Sequence, residues 1–246
     1  MIHFLLDIDN TLAERNIPVF ITLCNRKLKL GIDDARLQTL HYRDFLAQPE
    51  VISYRKRLGE SNFKRALGWI ELDPHHQLHM RPLKHAVVGV TRLAKLGPVT
   101  YYAARKTAYS EQLNKQMAQT THTWLAMHHF PDADHVLFYS NPQDKLYQII
   151  EQAVKNSYHL ILIDGRYESL LADLSSLNSF LVQRIQCSLT LCAFGVVEIA
   201  HEITPSAIFE TVAFPTWEDI DAFIQAWISA IEKRYASASP RLKSRR

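Results

Sequence analysis

The sequence predicts an α/β fold: a parallel sheet covered by helices, with one helical segment set apart from it. Three observations predict it. Residues 4–12 read FLLDIDNTL, an apolar run that stops at two acids one residue apart. From residue 80 onward, short apolar runs alternate with longer stretches whose apolar residues recur every three or four positions. That alternation calls for parallel strands joined by helical crossovers. Between these parts, residues 14–79 carry the helical period and no convincing strand.

The first run, Phe4-Leu5-Leu6, is short and ends in acids, as a strand buried on both faces does. Beyond Thr11, the residues Val19, Phe20, Leu23 and Leu28 share one helix face, and Gly31 is placed to close that helix. Asp33 or Asp34 suits the cap of a second helix carrying Leu37, Leu40 and Phe45 on one side. Residues 61–70 repeat the pattern through Phe63, Ala66, Leu67 and Ile70. Arg43, Arg55, Lys56, Arg57, Lys64 and Arg65 make the segment basic in places, as a solvated helix face would be. Asp73-Pro74 opens a loop with His75, His76 and His79. Two histidines four apart have metal-ligand spacing, but no acid or cysteine nearby completes a set.

Arg81-Pro82 precedes a helix whose apolar face is Leu83, Val87, Val90, Leu93 and Ala94, ended by Gly97 and Pro98. Val99 to Ala103 is the second strand, followed by Ala104-Arg105. Ser110-Glu111 opens a helix to about His128, with Leu113, Met117, Trp124 and Leu125 inside. Val136 to Tyr139 is the third strand. Ser140-Asn141-Pro142 then turns the chain into a helix with Lys145 in its first turn. A cation there opposes the helix dipole, so an anionic partner is expected. Leu160 to Ile163 is the fourth strand and ends in Asp164-Gly165; Leu189 to Phe194 and Ile208 to Ala213 are the fifth and sixth. Thr216 caps a last helix from Trp217 to about Arg234.

Composition narrows the classes. At 47% hydrophobic and 22% charged the chain is globular. The net charge of +3 misleads, because Arg241, Lys243, Arg245 and Arg246 sit in the tail ASASPRLKSRR. Without them 24 basic side chains face 25 acidic ones, so the body has no basic footprint and a nucleic-acid partner is not expected. Cys24, Cys187 and Cys192 are odd in number and lack metal spacing, which suits reduced cytoplasmic thiols. No membrane span or secretory leader is expected either: no apolar run is long enough, and the start carries acids at 7 and 9.

Two carboxylates one residue apart at the end of a buried strand are costly to leave unpaired. A divalent cation relieves that cost, since hard oxygen ligands suit Mg²⁺. An aspartate can also attack phosphorus, and a second acid two residues on can move protons for the leaving group and the incoming water. Acids that merely cap the next turn are the alternative on this spacing alone. Position favours chemistry. Active sites of parallel sheets lie beyond the carboxyl ends of the strands, and Asp7, Asp9, Ala103, Lys145 and Asp164 all fall there or just past.

With these residues in place, the chain from 1 to about 175 resembles the haloacid dehalogenase-like (HAD) hydrolase superfamily in its phosphatase form. The first motif is Asp7-Ile8-Asp9-Asn10-Thr11. The resemblance implies a three-layer Rossmann-like core from residues 1–13 and 80–235, a small all-helical cap at 14–79, and a basic disordered tail at 236–246. It implies Asp7 as nucleophile, Asp9 as general acid and base, and Lys145 as the cation that neutralises the phosphoryl group. Mg²⁺ would be held by Asp7, Asp9 through its backbone carbonyl, Asp164, and Glu168 standing for the second acid of the fourth motif. Thr11, Ala103, Ala104, Arg105 and Lys145 would bind phosphate.

The chain departs from the family at Ala103, where members carry Thr or Ser at the end of the second strand. Thr100 does not replace it, being three residues back and on the opposite strand face. A hydrogen bond to a charged group is worth about 1.5–3 kcal/mol, roughly ten- to a few-hundred-fold in rate, so a hydroxyl restored at 103 is expected to raise turnover. The implied activity is Mg²⁺-dependent hydrolysis of a small phosphorylated metabolite, a nucleotide among the candidates, through an aspartyl-phosphate. The same pair of aspartates would serve a phosphomutase. The alternative class is a catalytically degenerate domain that binds a phosphorylated ligand or a protein partner.

Overall fold

Strand formation in this chain follows from runs of apolar residues that can be buried on both sides of a sheet. In the computed structural model these runs assemble into six parallel strands. The structure describes residues 2–105, 110–155, 159–176, 185, 188–198 and 210–238. The strands are β1 (Ile2–Asp7), β4 (Val99–Ala103), β5 (Val136–Phe138), β6 (His159–Asp164), β7 (Leu189–Phe194) and β8 (Glu210–Phe214). Their order is β5-β4-β1-β6-β7-β8, so β1 is central, with β4 on one side and β6 on the other.

Side chains of a strand alternate between the two faces, and the register decides which ones share a face. One core holds Phe4, Leu6, Tyr101, Ala103, Ile161 and Ile163. Over it lie α7 (Ala86–Ala94), α8 (Glu111–Met127), a 3₁₀ turn (Trp217–Asp219) and α11 (Ile220–Ala238). The other core holds Leu5, Tyr102, Leu160, Leu162 and Leu191, covered by α9 (Pro142–Lys155) and α10 (Tyr167–Ser175). The result is three layers, an α/β Rossmann-like core.

Residues 17–78 form α1 (Ile17–Leu28), α2 (Asp34–Leu37), α3 (Tyr42–Leu46), α4 (Pro49–Leu58), α5 (Glu60–Glu71) and α6 (Pro74–Leu78). These helices close on a hydrophobic cluster of their own, built from Phe20, Ile21, Leu37, Phe45, Val51, Phe63, Leu67 and Ile70. Each such side chain stabilises its cluster by about 1.5–3 kcal/mol. The chain enters and leaves this unit through a two-stranded antiparallel ribbon, β2 (Ala13–Glu14) paired with β3 (Arg81–Pro82).

Several elements differ from the sequence reading, each for a local reason. The left-handed residue after α1 is Lys29 (φ 53°), ahead of Gly31. Asp33 does cap a helix, accepting from the N–H groups of Ala35 and Arg36. That helix stops at Leu37, where the Thr39 hydroxyl turns back onto the Arg36 carbonyl and competes with the ladder. Leu40 and Phe45 therefore fall outside it, Phe45 on α3. The stretch after Asp73 is helical: Asp73 caps α6 through His75 N–H at 2.9 Å, and Pro74 suits the first helical position. His75 and His79 stack as helix neighbours with ring centroids 4.3 Å apart. Arg81-Pro82, expected to lead directly into a helix, is the return strand of the ribbon. The third strand stops at Phe138, and the sixth runs Glu210–Phe214 with Ile208 outside the described residues. The last helix reaches Ala238, into the stretch expected as tail; residues 239–246 and Cys187 lie outside the described residues. Among the described residues no helix is long and apolar enough to cross a membrane.

Trp217 ties the far end of the chain to the first strand. Its indole N–H donates to the Thr11 carbonyl at 2.7 Å, and its ring packs edge-on against Phe214. Gly89 makes room for it, since a Cβ there would come within 2.3 Å of the ring. The turn after Asp7 is thus held from beneath.

Candidate active site

The site begins where β1 ends. Beyond Asp7 the backbone folds back, with the N–H groups of Leu12 and Ala13 donating to the Ile8 carbonyl at 2.9 and 3.0 Å. Asn10 takes φ 65°, one of the few non-glycine residues able to do so at low cost. The Thr11 side chain is turned inward: its hydroxyl donates to Asp7 Oδ2 at 3.3 Å and accepts from Gly165 N–H at 2.9 Å. Gly165 is needed there, because a Cβ would stand 3.0 Å from the Asn10 carbonyl and 3.2 Å from the Thr11 hydroxyl. The turns after β1 and β6 therefore touch.

Asp7 is 4% exposed and Asp164 fully buried. Leu6 and Ile163 are paired across β1 and β6, so the two acids follow one step beyond that pair on the same face. Lys145, on the first turn of α9, binds Asp164 Oδ2. The Tyr102 hydroxyl donates to the same oxygen at 2.6 Å, and Arg166 N–H donates to Oδ1 at 2.6 Å. The Lys145 ammonium lies 4.7 Å from the Tyr102 ring centre and 5.6 Å from that of Tyr139. Burial, first, and then the neighbouring Asp164 push the Asp7 carboxyl well above the usual carboxylate range. Lys145 and Arg166 pull it back, while Asp9 adds to the rise. One ammonium thus stands between two buried acids.

The remaining expected residues divide. Asp9 receives the Arg105 guanidinium at 2.8 Å on Oδ1. Arg105 is itself buried, bonded to Thr121 at 2.9 Å and near Met80 Sδ at 3.7 Å, so it grips the second acid and α8. Ala103 is fully buried in the core on the opposite face from Asp7, because the register pairs Asp7 with Tyr102. Its methyl does not point to where a phosphoryl hydroxyl donor would stand. Ala104, one residue on, is exposed and lines the cavity described below. Glu168 is exposed on the first turn of α10, and its carboxylate accepts from the Tyr167 hydroxyl at 3.3 Å. The structure thus brings together Asp7, Thr11, Lys145 and Asp164, joins Asp9 to Arg105, and leaves Glu168 and the Ala103 side chain apart. Among the described residues no three His, Cys, Asp or Glu side chains form a group able to hold a metal. Two buried carboxylates with incomplete neutralisation still suit Mg²⁺, which commonly takes one or two carboxylates and completes its shell with water and phosphate oxygens.

Above the site a cavity of about 490 Å³ opens between the sheet and the helical unit. Asp9, Asn10, Ala104 and Arg166 border it from the core side. Trp69, Leu72, His76 and Gln77 border it from α5 and α6, with Arg15 and Arg65 beside them. Sequence reasoning missed Tyr102, Tyr139, Arg166 and Gln77, and it placed His76 on a loop weighed for metal binding, not on a helix lining a cavity. The two tyrosines carry no motif, and only the strand register shows which face Tyr102 takes. For α6, the Asp73-Pro74 cap was the available signal.

No protein-family model matches the chain, and no curated protein matches it. Among solved structures it is similar to a haloacid dehalogenase-like hydrolase from Burkholderia xenovorans, at 18% identity, 92% of this chain, 98% of that one and a TM-score of 0.48. It is similar also to a HAD family hydrolase from Deinococcus radiodurans with bound phosphate and sodium, at 10% identity, 90% and 94% coverage and a TM-score of 0.43. A third is a β-phosphoglucomutase from Thermotoga maritima, at 12% identity, 92% and 99% coverage and a TM-score of 0.45.

Proposed function

We propose that this chain is a Mg²⁺-dependent phosphatase that hydrolyses a small phosphorylated metabolite, with Asp7 as the nucleophile. The observation that carries the reading is the buried Asp7 carboxylate, raised by burial and by Asp164, with the Lys145 ammonium beside the two acids. Such a group is poorly stabilised alone, and a cation and a phosphoryl group brought to it would relieve that cost together. Asp7, Asp164 and the Asp9 backbone carbonyl would hold Mg²⁺, which when bound offsets the charge on the phosphoryl oxygens.

The steps on this chain are then as follows. An Asp7 oxygen forms a bond to phosphorus while the bond from phosphorus to the ester oxygen breaks. Asp9, protonated, gives its proton to the departing oxygen. Arg105 engages only Oδ1 of Asp9, so Oδ2 is available for that transfer. The now ionised Asp9 takes a proton from water as the water oxygen bonds to phosphorus and the Asp7–phosphorus bond breaks. Inorganic phosphate leaves, and Asp9 is protonated again. Lys145 offsets charge throughout. Residues 14–79 act as a cap whose closure excludes water from the aspartyl-phosphate. A cytoplasmic location accords with Cys24 and Cys192, both buried free thiols.

The test is phosphate release from a panel of phosphate monoesters, with and without Mg²⁺. Asp7→Asn keeps the shape and removes the nucleophile; the expected result is background activity in a folded protein. Turnover of the variant above a few per cent, or wild-type turnover undiminished by EDTA, overturns the reading. A second reading, binding of a phosphorylated ligand without turnover, is favoured by one feature: Asp9 is held by Arg105 and no hydroxyl stands at 103 or 104. Absence of turnover across the panel with retained ligand binding selects it.

A further inference from the structure

Two residues that line the cavity carry buried polar atoms with no hydrogen-bond partner among the described residues, and the two atoms share one chemistry. His76 and Gln77 are consecutive on α6, 3% and 2% exposed, and both line the cavity. His76 Nδ1 lies 3.1 Å from the Glu71 carbonyl. A carbonyl only accepts, so Nδ1 carries the proton and Nε2 presents a bare lone pair. Burial, above all, holds the ring below the usual histidine range; the Glu71 carbonyl and Asp9 oppose it, Arg15 and Arg105 add to it, and the neutral imidazole is favoured. Nε2 of His76 and Oε1 of Gln77 are both buried without a hydrogen-bond partner among the described residues. Leaving two adjacent buried acceptors unsatisfied is unfavourable, and a bound ligand is one way to meet them.

We propose that this cavity binds a phosphate ester bearing hydroxyl groups, and that His76 and Gln77 select it by accepting hydrogen bonds from those hydroxyls. The phosphate end cannot serve, because its ionised oxygens are themselves acceptors. An ammonium donor is disfavoured because the two acids lining the cavity, Asp9 and Glu71, are already paired with Arg105 and Arg15, whereas Arg65 and Arg166 line it and form no ion pair among the described residues. Those two guanidiniums instead suit the ester's anionic end. Trp69, 42% exposed, offers a flat apolar wall to the carbon chain between the two ends. The proposal rests on the hydrolase reading for its assumption that the phosphate end approaches Asp7.

The experiment compares a terminal ribitol phosphate with pentyl phosphate, which has the same chain length and no hydroxyls. Binding is read by calorimetry on Asp7→Asn protein and on wild-type protein in EDTA, neither of which needs turnover. The polyol ester is expected to bind at least about ten-fold more tightly, the effect of one buried acceptor left unmet by the alkyl ester. In His76→Phe and in Gln77→Met, each of which keeps volume and removes one of the two acceptors, the preference is expected to shrink several-fold. Equal affinity for the two esters in the starting protein, or binding of neither, overturns the proposal. So does a preference that is undiminished in both variants. Should His76→Phe fail to fold, Gln77→Met carries the same comparison. A clear preference in binding together with no phosphate release from either ester leaves the hydroxyl site standing and removes the hydrolase reading.

Discussion

At the scale of single residues, Asp7 makes the sharpest demand. Its carboxyl is raised by burial and by Asp164, so in metal-free protein it favours the protonated form. A raised acid contributes stability that is fully present below its unfolded pKa, about 3.9, and is lost as pH rises through the folded value. Asp7→Asn removes that loss. Melting curves in EDTA should therefore converge for the two proteins at acid pH and separate toward neutrality, with the variant the more stable. Saturating Mg²⁺ should narrow the gap by stabilising wild type. A gap that is the same at every pH contradicts the assignment. The alanine pair gives a second test. Ala104→Ser places a hydroxyl on the cavity wall and should raise phosphate release by about ten- to a hundred-fold. Ala103→Thr, once expected to do this, should lose about 1–3 kcal/mol of stability, because its hydroxyl enters an apolar core. The acids and Lys145 were legible because a parallel sheet gathers strand ends at one edge. The position of the missing hydroxyl was not, since it depends on Asp7 pairing with Tyr102, and no one-strand pattern reveals register. Arg105 was legible as a functional charge, but its partner, Asp9, was not.

At the scale of elements, the strands were legible to within a residue or two because buried strands are written as uninterrupted apolar runs. The helical unit was legible as helical and poorly divided. Its breaks depend on competition between side chains and backbone, as at Thr39, and on short capped turns such as α6 that are too brief to show a period. One contact between elements supports the site from a distance. Gly89 on α7 lets Trp217 sit flush, and Trp217 holds the Thr11 carbonyl. Gly89→Ala would normally favour a helix. Here a Cβ would lie 2.3 Å from the indole ring, so overpacking should win, at about 1–3 kcal/mol of stability. The same shift should loosen Thr11 and lower turnover, measurable as a drop in kcat alongside the drop in Tm. Unchanged stability would mean that the indole repacks freely and does not fix the turn.

At the scale of the whole molecule, the helical unit has a hydrophobic cluster of its own and meets the sheet through the β2–β3 ribbon and through α6, which packs against α8. The cavity lies between them, and Asp7 is not among the residues that line it. A substrate phosphate must therefore reach an acid that sits below the cavity floor. Closure of the helical unit over a bound ester would supply the force, by adding contacts from α5 and α6 to those from the core. Hydrogen exchange can read this directly. With Mg²⁺ and inorganic phosphate bound, amides of α5 and α6 should slow together with those of the turn from Asn10 to Ala13, although α5 belongs to a different cluster from that turn. Slowing confined to the turn after β1 and to Gly165 would mean that the helical unit is a fixed wall. In that case substrate choice would rest on the shape of the cavity as it stands, and a cap that closes would have no part in the reaction.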